Sequence, residues 1–366
     1  MNNKRSRLRD YGLIVGDLET GKWNAITDVK GVKVGQVTLD FGEGSWVSGE
    51  GPVRTGVTVI LPHEDNIYQE RVRAAVHTLN GYGKAVGFEQ IRELGLLESP
   101  IALTGTLNVG LVADAMVQYM IKKNPELVSV NVVVGETNDG YLNDAHGRHV
   151  HKEHVWQAIE QAKSGAVQEG DVGAGKGSIC FGWKGGIGTA SRLLPEALGG
   201  FTVGALVQAN YGSAKDLIVC GKPVGKMLPD PEEKPMNEPE GSIMIVLATD
   251  APMTSRQLQR LCVRAGIGLG RTGSVFGHTS GDFVIAFSTG QKIASQSDSL
   301  VEHLPVLNEN KEIMGAFFKA VVESVEEAIM NALFMAQTVE GRDKHLVRNL
   351  PIDSVIELFV DIKTNP

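Results

Sequence analysis

The residues around Gly241 and Ser242 join two stretches of opposite character. Prolines and charged residues recur through positions 223–240, and because each proline fixes φ and removes a backbone donor, this stretch predicts an exposed loop. Positions 242–249 (SIMIVLAT) show no polar alternation, which is typical of a strand buried on both faces. Ser242 is therefore predicted to lie where a solvent-exposed loop enters the core.

A serine at such a position could act as an N-terminal nucleophile. Its hydroxyl would attack the carbonyl of Gly241, and hydrolysis of the resulting ester would leave a free α-amine on Ser242. An α-amine has a pKa near ~8 and could activate the hydroxyl as a base close to neutral pH. Gly241 adds flexibility and no side-chain bulk. A second interpretation stays open on these residues alone: a loop-to-strand boundary with a serine at its edge.

The elements that would position this junction are predicted from hydrophobic periodicity. Runs rich in Val, Ile and Phe and bounded by glycines predict strands near 31–39, 55–61, 130–135, 177–183, 202–209, 242–249 and 283–288. Helical spacing predicts helices near 84–94, 107–122, 153–163 and 254–265, and a long one from Lys311 to Gln337. Strands apolar on both faces together with amphipathic helices predict an α/β fold with helices outside the sheets.

Length and composition agree with one compact domain over residues 1–366, because a chain of 366 residues can bury a large core and its 44 glycines indicate many tight turns. The net charge of −8 comes from mixed acidic and basic residues, which argues against a nucleic-acid partner. No apolar run approaches ~18 residues, and none follows the basic residues 3–9, so we expect neither a membrane span nor a secretory signal. The cytoplasm is the predicted location.

The cysteines Cys180, Cys220 and Cys262 are odd in number and widely spaced. This pattern argues against a disulfide framework and against a zinc knuckle. They are predicted to be core or near-core thiols.

The histidines cluster between His146 and His154, and with Glu153 they could be drawn as a metal site. Catalytic zinc helices place two histidines at i and i+4, whereas these offsets are three, two and three. A solvated helix start with Glu153 in its first turn is favoured, and no metal is expected.

Two glycine-rich stretches resemble nucleotide-binding loops only in part. GDVGAGK at 170–176 matches a phosphate loop up to its lysine, but Gly177 stands where a Ser or Thr must hold magnesium, and a strand follows where a helix is needed. GLGRTG at 268–273 has dinucleotide spacing but follows a predicted helix instead of a strand. Tight backbone packing near the active site is the preferred interpretation of the second stretch.

Eight blocks spread over nearly the whole chain carry a family resemblance. They read GVKVGQVT at 31–38, RTGVTVILP at 54–62, TGTLNVG at 104–110, GETNDGYLND at 135–144, GWKGGIGTA at 182–190, VQANYG at 207–212, GSIMIVLATDAP at 241–252 and SGDFVIAFST at 280–289. In this order they resemble the L-aminopeptidase/D-esterase and β-peptidyl aminopeptidase family.

The resemblance implies a four-layer αββα sandwich of the N-terminal-nucleophile type. It also implies self-cleavage before Ser242 into a larger chain, 1–241, and a smaller chain, 242–366, that stay associated. The expected activity is an aminopeptidase that needs no cofactor and acts on short peptides, amino-acid amides or esters. Homo-oligomers, with a homotetramer as the expected form, are the family's habit.

Three residues match the family's catalytic positions around the nucleophile. Ser280 and Asp282 match a second serine and an acid, and strand alternation places both on one face. Ser280 could hydrogen-bond the hydroxyl or amine of Ser242, while Asp282 would orient the network and stabilise positive charge on the amine. Asn210 matches the asparagine of the oxyanion hole, whose amide can donate to a developing alkoxide. On local sequence alone, Ser280 and Asp282 also fit the polar start of a strand, and Asn210 also fits a turn residue.

Two further residues match the family's substrate-binding positions. Glu136 matches the acid that receives the substrate's free amino group, and a carboxylate there favours an aminopeptidase over an endopeptidase because an internal peptide bond offers no charge to pair. Asn138 stands where the best-known aminopeptidase/D-esterases carry a tyrosine that assists the oxyanion hole. An asparagine can still donate a hydrogen bond, but it reaches less far.

Two other functions stay open at this point. One is an acyl transferase similar to ornithine acetyltransferase, which shares the self-cleaving logic but uses threonine as its nucleophile. The other is a non-enzymatic relative whose junction stays intact and whose pocket binds a small ligand.

Overall fold

Two β-sheets packed face to face form the centre of the computed structural model, which describes residues 5–231, 241–309 and 312–360. In chain order the strands are β1 (Lys33–Phe41), β2 (Val53–Leu61), β3 (Glu70–Gly81), β4 (Leu96–Leu97), β5 (Ile101–Gly105), β6 (Val133–Thr137), β7 (Ile179–Cys180), β8 (Trp183–Lys184), β9 (Gly186–Leu193), β10 (Thr202–Asn210), β11 (Ser242–Thr249), β12 (Gly281–Ala294), β13 (Val339–Glu340) and β14 (Leu346–Val347). The helices are α1 (Phe88–Leu94), α2 (Val109–Lys123), α3 (Lys152–Glu160), α4 (Ser255–Arg271), α5 (Ile313–Met335) and α6 (Ile352–Val360).

The first sheet has the order β1-β2-β5-β6, and the second has the order β4-β3-β12-β11-β10-β9. Helices α2 and α3 pack on the first sheet, and helices α4 and α5 pack on the second. The result is the expected four-layer αββα sandwich. None of the helices in the described part of the chain combines the length and the apolar character needed to span a bilayer.

The core lies in three layers because successive strand residues point to opposite faces. Ile60 of the first sheet and Val246 of the second belong to the central layer between the sheets. Val59, the neighbour of Ile60, packs instead with α2 and α3, and Ile245, the neighbour of Val246, packs with α4 and α5. All eight residues of β11 are buried, which confirms the predicted doubly buried strand at 242–249.

Helix α5 lies against β9 and β10 and confirms the long helix predicted from apolar spacing. Lys311, the predicted first residue, lies outside the described residues. The acids Glu323 and Glu327 are buried on this helix, and both pair with the buried Arg192 of β9, at 2.9 and 2.6 Å. Satisfied charges therefore join the longest helix to the second sheet.

Several elements differ from the sequence pattern. The prediction of a single strand at 177–183 is wrong, because β7 and β8 form a separate two-stranded sheet. Phe181, at a φ of 51°, lies in the turn between these two strands. The pattern does not predict β3, β5 or β9, nor helix α6. The predicted loop at 223–240 begins with a 3-10 turn at Val224–Lys226, and positions 232–240 lie outside the described residues.

Both glycine-rich stretches have structural roles. After Gly173–Gly175, a single 3-10 turn, the chain continues into β7 without a helix, and Lys176 pairs with Asp40 and Asp171 at 2.7 and 3.0 Å. Gly268 lies within α4, where a Cβ would come within 2.7 Å of the Val322 carbonyl oxygen on α5. Tight packing is thus confirmed, but it joins two helices instead of lining the cavity described below.

Candidate active site

A cavity of about 1170 Å³ opens at the end of the second sheet where β10 ends and β11 begins. Of the residues predicted for the site, Gly241, Ser242, Asn210, Glu136 and Asn138 line it. The structure therefore gathers residues from β6, β10 and β11 around one space, which sequence separation alone does not indicate.

Ser242 is the first residue of β11, and the strand pairing determines its neighbours. It lies opposite Asn210 in the antiparallel pairing with β10 and opposite Gly281 in the parallel pairing with β12. Only 6% of Ser242 is exposed although it lines the cavity. The predicted boundary between loop and core is therefore a buried residue at the cavity wall.

The backbone of Gly281 contacts both sides of the Gly241–Ser242 junction. Its N–H donates to the carbonyl oxygen of Gly241 at 3.1 Å and lies 3.4 Å from Ser242 Oγ. A Cβ at Gly281 would come within 2.7 Å of the Tyr82 carbonyl oxygen and 3.2 Å of Ser242 Oγ, so glycine alone fits this approach without a shift. A backbone donor has no side-chain signal, and the sequence patterns do not identify it.

Ser280 and Asp282 lie directly beside the junction and contact each other. Ser280 Oγ donates to Asp282 Oδ1 at 2.6 Å, and both residues are buried. Burial raises the pKa of Asp282 to about 6 against the opposing effects of the Ser280 hydroxyl and the Ile243 backbone. The second oxygen, Oδ2, is buried with no hydrogen-bond partner among the described residues. Asp282 is thus a carboxylate with one oxygen available for a further donor.

Asn210 is held in one orientation by the backbone of β7. Its Oδ1 accepts a hydrogen bond from the Ile179 N–H at 2.8 Å. This contact assigns the amide oxygen to the backbone and leaves the NH₂ group, which is the donor end, for the cavity that Asn210 lines. An amide fixed in this way can donate to an oxyanion without first reorienting.

Glu136 is buried on β6 and already has a cationic neighbour. Its Oε1 accepts the Lys84 backbone N–H at 3.1 Å and lies 3.3 Å from Lys84 Nζ. A Cβ at Gly83 would come within 3.1 Å of this oxygen and 3.5 Å of Gly281 Cα, so the carboxylate and the first residue of β12 approach each other across Gly83. The sequence patterns do not single out Lys84.

The loop after β6 is organised by its polar side chains. Asn138 is exposed, and its Oδ1 accepts the Gly140 N–H at 2.9 Å, as in an Asx turn. Asp139 is buried beneath it and bonds Thr55 Oγ1 at 2.5 Å and Asn143 Nδ2 at 3.2 Å. Burial raises the pKa of Asp139 to about 6. Asp139, which sequence reasoning also misses, anchors the loop that carries Asn138.

The histidine-rich segment 146–154 contains the helix start that its sequence predicts. Helix α3 begins at Lys152 with Glu153 in its first turn. His149 pairs with Asp144 at 2.9 Å. The described residues contain one group with donor atoms close enough for a metal ion, His63, Asp65 and Glu70, within 4.8 Å of one another. Lys292 already pairs with both of its carboxylates, and the group does not line the cavity.

Chemically, the site combines a serine hydroxyl with fixed hydrogen-bond donors and a buried carboxylate. Gly281 N–H and the Asn210 amide can stabilise an oxyanion. Asp282 can balance a cation beside Ser242, and Glu136 can bind an ammonium group. This set of groups is suited to acyl transfer from a substrate with a free amino end.

Comparisons with known proteins agree over nearly the full length. The model of peptidase family S58 matches residues 24–347. The chain is 40% identical over 372 residues to a β-peptidyl aminopeptidase, BapA, of Sphingosinicella xenopeptidilytica, a match that covers 96% of this chain and 90% of that protein.

Solved structures are similarly close. A protein from Pyrococcus horikoshii OT3 aligns with a TM-score of 0.92 and 45% identity, covering 98% of this chain and 99% of that one. The L-aminopeptidase D-Ala-esterase/amidase of Ochrobactrum anthropi, described as a variant of the N-terminal-nucleophile hydrolase fold, aligns with a TM-score of 0.90 and 38% identity over 98% of this chain and 99% of its own.

Proposed function

The chain belongs to peptidase family S58 and is a serine aminopeptidase of the N-terminal-nucleophile type, and on that premise we propose that it matures by cutting its own chain between Gly241 and Ser242. The products would be chains 1–241 and 242–366, which remain associated. The observation that carries this proposal is the hydrogen bond from Gly281 N–H to the Gly241 carbonyl oxygen at 3.1 Å. It places a fixed donor on the carbonyl that the reaction would attack.

Maturation would proceed through an ester. Ser242 Oγ adds to the carbonyl carbon of Gly241, and the Gly241–Ser242 C–N bond breaks as the nitrogen takes up a proton. Water then hydrolyses the ester between Gly241 and Ser242 Oγ, which frees the carboxylate of Gly241, the hydroxyl of Ser242 and its new α-amine.

The network of Ser280 and Asp282 would receive that amine. Asp282 is the register partner of Ile243, the residue that follows Ser242, and its Oδ2 lacks a partner among the described residues. The N–H groups of the amine at Ser242 would supply the missing donor both in the neutral form, which can act as a base, and in the ammonium form. In each turnover the amine takes the proton from the Ser242 hydroxyl, and Asp282 stabilises the resulting ammonium.

Substrate hydrolysis would follow an acyl-enzyme route. Ser242 attacks the substrate carbonyl, and the developing oxyanion accepts hydrogen bonds from the Asn210 amide and from Gly281 N–H, which maturation has released from Gly241. The leaving amine departs with a proton, and water hydrolyses the ester. No step requires a cofactor.

Glu136 would select substrates by their free ammonium group. The carboxylate is buried and lines the cavity, so an internal peptide segment would leave it without the charge that an N-terminus provides. Asn138, on the rim, would contact the substrate beside Glu136. We assign short peptides, amino-acid amides and esters as the substrate class.

Location and assembly are part of the same proposal. Three free cysteines, two of them buried, fit a reducing compartment such as the cytoplasm. A homotetramer is the proposed assembly, on the family's habit. Light scattering coupled to size-exclusion chromatography would measure it, and a monomer would contradict it.

The direct test of the activity is hydrolysis of alanine p-nitroanilide. Ser242→Ala should stay uncut and lose at least ~10³-fold in kcat. Ser213→Ala, which changes another serine lining the cavity, should mature and retain activity. Wild-type hydrolysis that survives in Ser242→Ala would contradict the role of Ser242, while an uncut and inactive wild type would favour the ligand-binding alternative.

A further inference from the structure

The ion pair between Lys84 and Glu136 changes what the amine-binding carboxylate can accept. Lys84 Nζ lies 3.3 Å from Glu136 Oε1, the same oxygen that accepts the Lys84 N–H. The side chain of Lys84 is half exposed, whereas that of Glu136 is 4% exposed. A lysine that faces solvent therefore places its charge on the carboxylate that the proposed function assigns to the substrate ammonium.

A substrate with only an ammonium group meets an electrostatic obstacle here. Two cations would share one carboxylate, and like charges a few ångströms apart repel each other in a cleft with low-dielectric walls. A substrate that also carries a carboxylate beside its ammonium group removes the obstacle. Its ammonium would contact Glu136, its carboxylate would contact Lys84, and the four charges would alternate in sign.

The charge of the cavity points in the same direction. Among the described residues that line it, Lys84, Lys215 and Arg342 are cationic, whereas Glu136 and Asp230 carry carboxyl groups. These residues hold one more cationic group than carboxyl groups, and a substrate that brings an ammonium together with a carboxylate keeps that excess at one, whereas a substrate that brings only an ammonium raises it to two.

We propose that Lys84 and Glu136 together bind an N-terminal residue whose ammonium and carboxylate groups share one carbon, so that the enzyme releases aspartate from β-aspartyl peptides and amides. This inference rests on the proposed aminopeptidase function and specifies its substrate class. In a β-aspartyl residue the scissile carbonyl is the side-chain carbonyl, so the α-ammonium and the α-carboxylate stay free on the same carbon. In an ordinary N-terminal residue that carboxylate is consumed by the peptide bond.

The reaction balances with water as the only co-substrate. A bond forms between Ser242 Oγ and the side-chain carbonyl carbon of the aspartyl residue, and the bond from that carbon to the leaving nitrogen breaks. The leaving amine takes one proton. Water then cleaves the ester, releases free aspartate and restores the Ser242 hydroxyl.

The test compares two p-nitroanilides that differ in one group. Aspartate β-p-nitroanilide carries a carboxylate on its ammonium-bearing carbon, and 3-aminobutyrate p-nitroanilide carries a methyl group there. The mature wild type should show a kcat/KM at least ~10-fold higher for the aspartyl compound, the equivalent of about 1.4 kcal/mol.

Variants at Lys84 distinguish a direct contact between this lysine and the substrate carboxylate from a general effect of positive charge in the cavity. Lys84→Met should lower kcat/KM for the aspartyl compound at least ~10-fold and raise it for the aminobutyrate compound, because the competing cation is gone. Lys84→Arg should keep the preference. Lys215→Met, which removes another cavity lysine, should change the ratio of the two substrates less than Lys84→Met does, because it lowers the positive charge of the cavity without removing the contact to the substrate carboxylate.

Each outcome decides the inference. It is overturned if the wild type hydrolyses the aminobutyrate compound as well as the aspartyl compound, or if Lys84→Met changes both substrates by the same factor. A wild type that hydrolyses alanine or aminobutyrate anilides without this preference leaves the aminopeptidase function intact. A mature enzyme that hydrolyses none of the three anilides contradicts the aminopeptidase function itself, and the inference with it.

Discussion

The backbone N–H of Gly281 donates to the carbonyl oxygen of Gly241 at 3.1 Å, across the parallel pairing of β11 and β12. The register that builds the second sheet therefore also places a donor on the bond proposed for self-cleavage. In the mature enzyme the same N–H would face the substrate oxyanion. One backbone group would thus serve both reactions.

Gly281→Ala should slow maturation by about 10²-fold or more, the usual effect of losing one oxyanion donor. The added Cβ would lie 2.7 Å from the Tyr82 carbonyl oxygen and would displace the N–H from Gly241. The rate is measured by gel analysis of freshly translated precursor. Gly270→Ala is the matched control, since a Cβ there meets nothing within 4 Å. Normal maturation of Gly281→Ala would contradict the donor's role.

Asp282 should make the uncut protein less stable as the pH rises. Burial raises the pKa of Asp282 from its ordinary value of 3.8 to about 6, so the folded state holds this proton more tightly than the unfolded state. The resulting stabilisation is fully present below pH ~4 and is lost as the pH rises to ~6, a change on the order of 2 kcal/mol.

The free energy of unfolding of Ser242→Ala in urea, measured between pH 4 and 7, tests this prediction. The control adds Asp282→Asn to the same uncut background. The double variant should lose this part of the pH dependence and be the more stable protein at pH 7. Identical pH profiles for the two proteins would show that Asp282 does not titrate in this range.

Glu136→Gln should weaken the capture of cationic substrates and leave maturation intact. Loss of a charge-assisted contact to the substrate ammonium predicts a fall in kcat/KM of about 10–100-fold. Steady-state kinetics with alanine p-nitroanilide measures it, alongside a gel of chain cleavage. Glu153→Gln, at an exposed acid on α3, should behave as wild type. If Glu136→Gln impairs cleavage and hydrolysis equally, Glu136 is not an amine-binding residue.

The sequence predicts those parts of the fold whose signal is local. Helix α5 repeats apolar residues at helical spacing, and β11 is apolar throughout, so both are predicted close to their observed bounds. Strand β3 (ERVRAAVHTLNG) mixes charged and small residues, because its outer face contacts α4 while its ends reach solvent. The split of 177–183 into β7 and β8 depends on the positive φ of Phe181, for which a phenylalanine gives no signal.

The same limit applies to the site. Ser242, Asn210 and Glu136 stand in sequence blocks that indicate their positions, and the structure brings them to one cavity. Gly281 acts through its backbone, and Lys84 reaches Glu136 across 52 positions of the chain. Register and long-range contacts of this kind are properties of the folded sheet, so local patterns do not contain them.

Self-cleavage before Ser242 can be measured with an intact-mass spectrum of the purified protein under denaturing conditions. If the chain cuts itself there, two masses are expected near ~26 and ~13 kDa, in proportion to 241 and 125 of the 366 residues of a 39.3 kDa chain. The smaller chain should begin at Ser242 and carry the free amine that the mechanism needs. A single mass near 39.3 kDa in a protein that hydrolyses alanine p-nitroanilide would contradict it.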